Sequence, residues 1–381
     1  MTLPRFPVTT VGSWPRPPRV AEATGAYRHR RIERAERDRV ADEAVVDLLR
    51  LQETLGCDIV TDGELRRDNF YSFVADKLSG VRLMTLAEML EVVEDKAGFE
   101  QLLQTLDVPA YSISSPVCTA RITRREPLTV DDLAFARRHT DLPIKVTLPG
   151  PYLLTRAMFV PELTRAYYPD KEALARDVVA LLRAELEELR SAGAEFVQFD
   201  EPVLAEVAFA PGRTRTFMCA ALTARKDPAE ELEFAVSLIN EVVAGIDHLR
   251  LGLHVCRGNW SRDETTLLSG SYQALRPYLD RLQVTQLVLE YATERAGTLV
   301  AFEGKELGLG VVNPRTEEVE TPAQIRSAVE EALGLYPAER VFLNPDCGFG
   351  TFSSRPMNTR EIASAKVAAM VAAARDLRGR S

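Results

Sequence analysis

KEALARDVVALLRAELEELRSAGAEFVQFDEP, residues 171–202, contains one complete helix-to-strand unit. From Lys171 to Ala192 apolar residues recur at helical spacing with Glu and Arg between them, which predicts an amphipathic helix with one buried face. Phe196-Val197-Gln198-Phe199 then reads as a short strand, and it stops on Asp200-Glu201-Pro202. A strand that is largely apolar on both faces, fed by a helix, belongs in a parallel sheet. The acidic residues that end it mark a rim facing solvent or a ligand.

The same unit recurs in both directions. Strand-like runs are Thr9-Thr10-Val11, Asp58-Ile59-Val60, Ile144-Lys145-Val146-Thr147, Leu251-Gly252-Leu253-His254, Gln286-Leu287-Val288-Leu289, Leu307 to Val312 and Val341-Phe342-Leu343-Asn344. Helical patterns run from Pro228 to Ala244, Pro322 to Leu333 and Asn358 to Leu377. About eight strand-helix alternations fit an α/β fold of the (β/α)₈ TIM-barrel type better than a doubly wound sheet. No G-x-G-x-x-G or Walker A pattern is present. The chain reads as a single domain over residues 1–381, with one insertion at about 71–141 after the second unit. That insertion pairs an acidic helical stretch (Leu86 to Leu106) with a Pro- and Thr-rich segment (Val108 to Leu128), which suggests a helical lobe and a hairpin.

Unusual polar residues cluster just after the strands. Gly12-Ser13, Asp62-Gly63-Glu64, Pro149-Gly150, Asp200-Glu201, His254 with Cys256, Glu290, Asn313-Pro314-Arg315 and Asp346-Cys347-Gly348 follow the runs in turn. In a barrel these ends converge on the rim where active sites are built. His254 and Cys256 are two apart at a strand end and therefore share a side. An imidazole, two thiols and the carboxylate of Glu290 suit Zn²⁺ rather than Mg²⁺ or Ca²⁺. The closed CxxC spacing of structural zinc sites is missing, and a thiol bound to zinc is a nucleophile at neutral pH, so the set points to S-alkylation.

Composition sets limits. The 381 residues are 46% hydrophobic and 27% charged, enough for a large core. A net charge of -9 argues against nucleic acid as a partner. The basic run from His29 to Arg39 is interleaved with Glu33, Glu36 and Asp38 and reads as a solvated helix face. No stretch is long and apolar enough to span a membrane, and the first residues lack a signal-peptide core, so a cytoplasmic protein without membrane contact is expected. Five cysteines argue for reduced thiols, with Cys57, Cys118 and Cys219 as small core residues.

Taken together, His254-Val-Cys256, Leu-Val-Leu-Glu290, Asn-Pro-Asp-Cys347-Gly, Gln-Phe-Asp200-Glu-Pro, Val-Gly12-Ser13 and Asp62-Gly63-Glu64 resemble the catalytic half of cobalamin-independent methionine synthase. The chain is similar to a core-type member, without the N-terminal barrel of the full-length enzymes. The resemblance implies a zinc-dependent methyltransferase that takes homocysteine to methionine, with His254, Cys256, Glu290 and Cys347 as zinc ligands. It implies that Gly12 and Ser13 hold the amino acid carboxylate. Glu64 and Asp200 would hold its ammonium and are the residues expected to be catalytic, and Glu206 is counted with the substrate-binding set.

The methyl-donor side departs from the family. Its pterin-stacking Trp is replaced near Ala157, and its proton-donating His after the seventh strand is replaced in Asn313-Pro314-Arg315. A folate donor is a poor leaving group that needs protonation, so the expected donor is non-standard, with a corrinoid or corrinoid protein as one candidate. Arg156 and Arg315 are read either as binders of an anionic donor or as surface residues. The alternatives are a thiol alkyltransferase of the epoxyalkane:coenzyme M type, a non-catalytic zinc- or thiol-binding protein, and a decarboxylase of the related porphyrin barrel family.

Overall fold

A computed structural model of the chain describes residues 3–92, 114–209, 227–352 and 356–379. Two strands, β1 (Leu78–Thr85) and β2 (Ser114–Arg124), form an antiparallel pair outside the main sheet. The main sheet has six parallel strands in chain order: β3 (Lys145–Pro149), β4 (Phe196–Asp200), β5 (Arg250–Val255), β6 (Gln286–Leu289), β7 (Glu306–Val312) and β8 (Val341–Pro345). Its register aligns the chemistry. Pro149 lies opposite Asp200, and Asp200 opposite His254.

The helices form where the periodicity predicts. The helix Lys171–Ser191 starts at Asp170, whose side chain accepts from the Ala173 N–H at 2.7 Å, satisfying one of the free donors of the first turn. It buries Leu174, Val178, Leu182, Leu186 and Leu189 along one stripe. Each such leucine contributes about 1.5–3 kcal/mol by leaving water. Helices Pro228–Val243, Pro322–Ala332 and Arg360–Gly379 match the expected segments, the second of these closed by a Thr321–Gln324 capping box. Ile59, Phe196 and Phe342 form a separate small buried cluster.

The first two expected strands are shorter than the pattern predicts. Residues 9–11 carry no strand, and a single parallel bridge joins Val8, one residue before them, to Leu343; the second reduces to one bridge, Val60 with Ile144. Pro143 precedes Ile144, and a proline has no N–H with which to extend the Val60 ladder backwards. The two segments still meet, because Val8 O accepts from the N–H groups of Asp58 at 2.9 Å and Ile59 at 3.3 Å.

In the insertion, β2 falls in the Pro- and Thr-rich segment, but it pairs with β1, which precedes the acidic helical stretch, so the two strands bracket that stretch instead of forming a hairpin after it. Helix Leu86–Val92 is the start of the acidic helical stretch, whose remainder to Leu106 lies outside the described residues. The basic run leads into helix Arg34–Leu55, with Arg34 paired to Glu126 and Arg39 to Glu43. Among the described residues no helix is long and apolar enough to cross a membrane.

Candidate active site

The strand ends bring three of the four expected metal ligands together. The ligand atoms of His254, Cys256 and Cys347 lie within 4.8 Å of one another, and all three residues are buried. His254 Nδ1 bonds the Val288 carbonyl at 3.0 Å, and Nε2 has no hydrogen-bond partner among the described residues. A backbone carbonyl on Nδ1 favours the tautomer that leaves Nε2 as a lone pair for a metal. The hydrogen bond with Cys347, assisted by His254 and opposed by burial, brings the Cys256 thiol down to about 5. Burial opposes a charged imidazole, yet the contact with Cys256 carries His254 up to about 9. One thiolate beside a cation is what a soft divalent metal would replace.

Glu290 is adjacent but lies outside that group. It is 1% exposed, accepts from the Arg257 N–H at 3.0 Å through Oε1, and meets Arg295 at 3.2 Å and Arg315 at 3.7 Å through Oε2. Its charge still acts on Cys256 and Cys347.

A cavity of about 40 Å³ opens beside the three ligands, lined also by Ser13, Glu64 and Asp200. Six of the residues singled out from sequence therefore share one wall. Gly12 backs it: a Cβ there would stand 2.5 Å from Glu64 Oε1. Gly348 is tighter, since a Cβ would stand 2.0 Å from Ser13 Oγ. Glu206 is elsewhere. It is buried outside that lining, where its charge acts on Tyr152 and Arg156.

Glu64 reaches the cavity from a strained turn. Gly63 and Glu64 both take positive φ, 67° and 54°, and the Glu64 N–H donates to Asp62 Oδ1 at 3.0 Å. A non-glycine residue adopts that conformation only where its surroundings enforce it. Arg16 enforces it, donating to the carbonyls of Glu64 (3.0 Å), Arg67 (2.9 Å) and Gly350 (2.8 Å). Glu64 Oε1 accepts from Thr147 Oγ1 at 3.0 Å, and Oε2 has no partner among the described residues. Burial pushes the Glu64 carboxyl up, against Arg67. Burial also brings Asp200 up to about 7, against His254 and with Glu64.

Three lining residues escaped the sequence reading: Phe70, Asn259 and Thr351. None stands at a strand end, so the rim pattern gave no signal for them. Asn259 Nδ2 donates to the Gly348 carbonyl at 2.8 Å and its Oδ1 accepts from Arg315 at 3.2 Å. Arg315 is thus neither a surface residue nor an open anion site. It is 1% exposed and faces Asp346 and Glu264 at 3.4 and 3.3 Å. Arg156 is likewise 1% exposed and pairs with Glu231 at 3.0 Å. Arg156 is met by Glu231 from helix Pro228–Val243, and Arg315 by carboxylates from three separate segments, Glu264, Glu290 and Asp346. Cys57 and Cys118 are buried free thiols as expected; Cys219 lies outside the described residues.

Residues 6–376 match the family model described as the catalytic domain of cobalamin-independent synthase. A methionine synthase of Sulfurisphaera tokodaii is 28% identical over 350 residues, covering 91% of this chain and 86% of that one. The 5-methyltetrahydropteroyltriglutamate–homocysteine methyltransferase of Thermotoga maritima is 25% identical over 360 residues, covering 92% of this chain and 42% of that one. In structure, a B12-independent methionine synthase from Shewanella in complex with selenomethionine superposes with a TM-score of 0.74 at 21% identity, covering 99% of this chain and 98% of that one. With the match spanning nearly its whole length, the chain belongs to the cobalamin-independent synthase catalytic-domain family.

Proposed function

We propose that the chain is a zinc-dependent S-methyltransferase that converts homocysteine to methionine. The observation that carries this reading is the convergence of Ser13, Glu64 and Asp200 with His254, Cys256 and Cys347 on one buried cavity. The relatives' names, methionine synthase and homocysteine methyltransferase, support the same acceptor. We also propose that the sheet closes as a (β/α)₈ barrel in a single domain with an insertion at about 71–141. The Val8 and Val60 bridges at the two outer strands, with the Asp58 and Ile59 bonds between them, support closure.

The donor set fits zinc: one imidazole whose Nε2 has no hydrogen-bond partner among the described residues and two thiols, one of them drawn down to about 5. Bound there by His254, Cys256 and Cys347, with Glu290 alongside, zinc supplies a Lewis acid that keeps an incoming thiol deprotonated at neutral pH. The chain's own groups position the acceptor. Ser13 donates to the amino acid carboxylate, and Glu64 and Asp200 accept from the ammonium, an arrangement of charge-assisted bonds. Phe70, Pro202 and Val11 give the methylene chain an apolar wall. Coenzyme M carries a sulfonate and no ammonium, so two carboxylates in this cavity disfavour it.

For the donor, two positions remain informative. Ala157 is 2% exposed within helix Pro151–Met158, and Arg315 is enclosed by carboxylates. Neither offers an aromatic face or a transferable proton. We therefore propose a donor whose methyl group leaves without protonation, such as a methylated corrinoid, over the pteroyl donor named for the Thermotoga relative. The test is metal-loaded protein with homocysteine and equal concentrations of methylcobalamin or methyltetrahydropteroyltriglutamate, followed by mass spectrometry. Methionine formed faster from methylcobalamin is expected. Faster turnover with the pteroyl donor would overturn the donor assignment, and no methionine from any donor would overturn the function.

A further inference from the structure

Of the strands β5 to β8, three lead to the residues at the metal site and one does not. His254 lies in β5 with Cys256 just after it, Glu290 follows β6, and Cys347 follows β8. Strand β7 runs instead into Asn313-Pro314-Arg315. The buried Arg315 guanidinium turns back across its neighbours. Its Nε donates to Glu264 Oε1 at 3.3 Å, Nη1 to Asn259 Oδ1 at 3.2 Å and Nη2 to Asp346 Oδ2 at 3.4 Å. Glu290 Oε2 lies 3.7 Å from the same Nη2. One side chain from β7 therefore meets a group from the segments after each of the other three strands.

Two of those contacts bracket Cys347. On one side, Asp346 gives Oδ2 to Arg315, while its Oδ1 accepts from the N–H groups of Tyr291 and Ala292 at 2.8 Å each. It reaches those amides past Gly310 on β7, where a Cβ would stand 2.2 Å from Asp346 Oδ1. On the other side, Asn259 Nδ2 donates to the Gly348 carbonyl at 2.8 Å, with its Oδ1 held by Arg315. An amide whose oxygen is engaged by a guanidinium must point its NH₂ the other way, so Arg315 also sets the bond to Gly348. The next two residues of the loop close on the opposite wall, where the Phe349 and Gly350 N–H groups donate to the Ser13 carbonyl at 3.0 and 3.3 Å.

We propose that Arg315 is a positioning residue for the metal: by fixing Asp346 and, through Asn259, Gly348, it holds the Cys347 Sγ within reach of His254 and Cys256. The inference rests on the zinc reading of the site. His254 belongs to a paired strand and Cys256 follows within two residues of it. Cys347 lies beyond Pro345, the last paired residue of β8, so side chains must place it. Arginine suits the task because its planar fork offers five N–H donors in fixed directions, whereas a lysine ammonium would act from one point. Its charge also stands between Glu290 and Asp346, and without it two buried carboxyl groups would face each other uncompensated.

The experiment loads the protein with Co²⁺ in place of zinc, because cobalt–thiolate bonds absorb in the near ultraviolet and so count the cysteines on the metal. Wild-type protein should show two such bonds and C347S one. R315M is expected to bind Co²⁺ roughly 10–100-fold more weakly and, at saturating metal, to show the one-thiolate intensity of C347S. Should R315M fail to fold by circular dichroism, N259A carries the test. It leaves the ion pairs of Arg315 in place and frees only Gly348, so it should weaken the metal about tenfold, with a matching loss of thiolate absorption. Two-thiolate absorption at undiminished affinity in R315M, or in N259A where it stands in, would overturn the proposal. Wild-type protein that shows no cobalt–thiolate absorption would instead remove the metal reading beneath it.

Discussion

Buried carboxylates occur in two settings in this molecule, and their hydrogen bonding tells the two apart. Glu185 accepts from the N–H groups of Leu128 and Thr129, each at 2.7 Å, from Thr129 Oγ1 at 3.0 Å and from Arg124 at 2.6 Å. Glu231 is held by Tyr152 at 2.7 Å, by Arg156 at 3.0 Å and by Lys171. Glu64 and Asp200 are also buried, but among the described residues one has an oxygen without a partner and the other a single hydrogen bond, from Gln198. Burial without partners costs several kcal/mol unless something arrives to compensate. The first pair has its hydrogen-bonding capacity filled; the second has capacity left over, which the proposed acceptor would use.

The comparison breaks if the first pair can be removed cheaply. Glu231→Ala strands Arg156 and Lys171, whose side chains are 1% and 6% exposed, and should cost about 3–5 kcal/mol in denaturant unfolding. Asp200→Asn should instead leave stability within about 1 kcal/mol, because it resembles the protonated carboxyl that burial already favours. Its loss should appear in binding: methionine affinity weakens by roughly 1.5–3 kcal/mol in calorimetry, while the analogue without an amino group is unaffected.

A smaller effect follows from pH. Asp200 must be ionised to hold an ammonium and titrates up to about 7. Methionine affinity should therefore rise with pH through that value, by at most about tenfold, or ~1.4 kcal/mol, per unit. For the empty protein the sign reverses. A carboxyl raised from 3.8 to about 7 contributes stability that is fully present below its ordinary value and is lost as pH rises through the folded one. Opposite slopes for binding and for unfolding would sharpen the distinction; parallel slopes would blur it. At the far end, Arg39→Ala on the exposed Arg39–Glu43 pair, 63% and 55% accessible, should change stability by no more than about 0.5 kcal/mol in the same unfolding assay.

Much of this was legible from residue order because strands buried on both faces are apolar runs, and the residues that end them are exposed to a shared rim. Hence β3 to β8, and the meeting of Ser13, Glu64, Asp200, His254, Cys256 and Cys347, follow directly from pattern. The first two segments are shorter than their apolar pattern suggests; for the second, Pro143 ahead of its partner Ile144 cuts the ladder without changing that signal. Arg156 and Arg315 read as open cations because a sequence does not show which carboxylate will fold over them. Glu290 was placed by its position after β6, but two arginines and an amide from other segments decide where its oxygens point. Arg16 gives no signal for the opposite reason: its importance lies in the carbonyls it holds around Glu64.

The Val8 bridge bears on how the molecule is made. Pro7 and Thr9 exchange hydrogen bonds with Leu343 at 2.8 and 3.0 Å, and Arg378 reaches back to the carbonyls of Arg5 and Phe6. A ribosome adding ~5–20 residues per second emits the early segment roughly 20–60 s before its partner strand exists. During that interval β3 to β7 can assemble progressively, each on its predecessor, while an unpaired edge waits at either side. Such edges invite foreign strands, so slow translation or a stall before residue 341 should expose a sticky half-sheet. Yield in a cell would then depend as much on the pace of synthesis as on the stability of the finished protein.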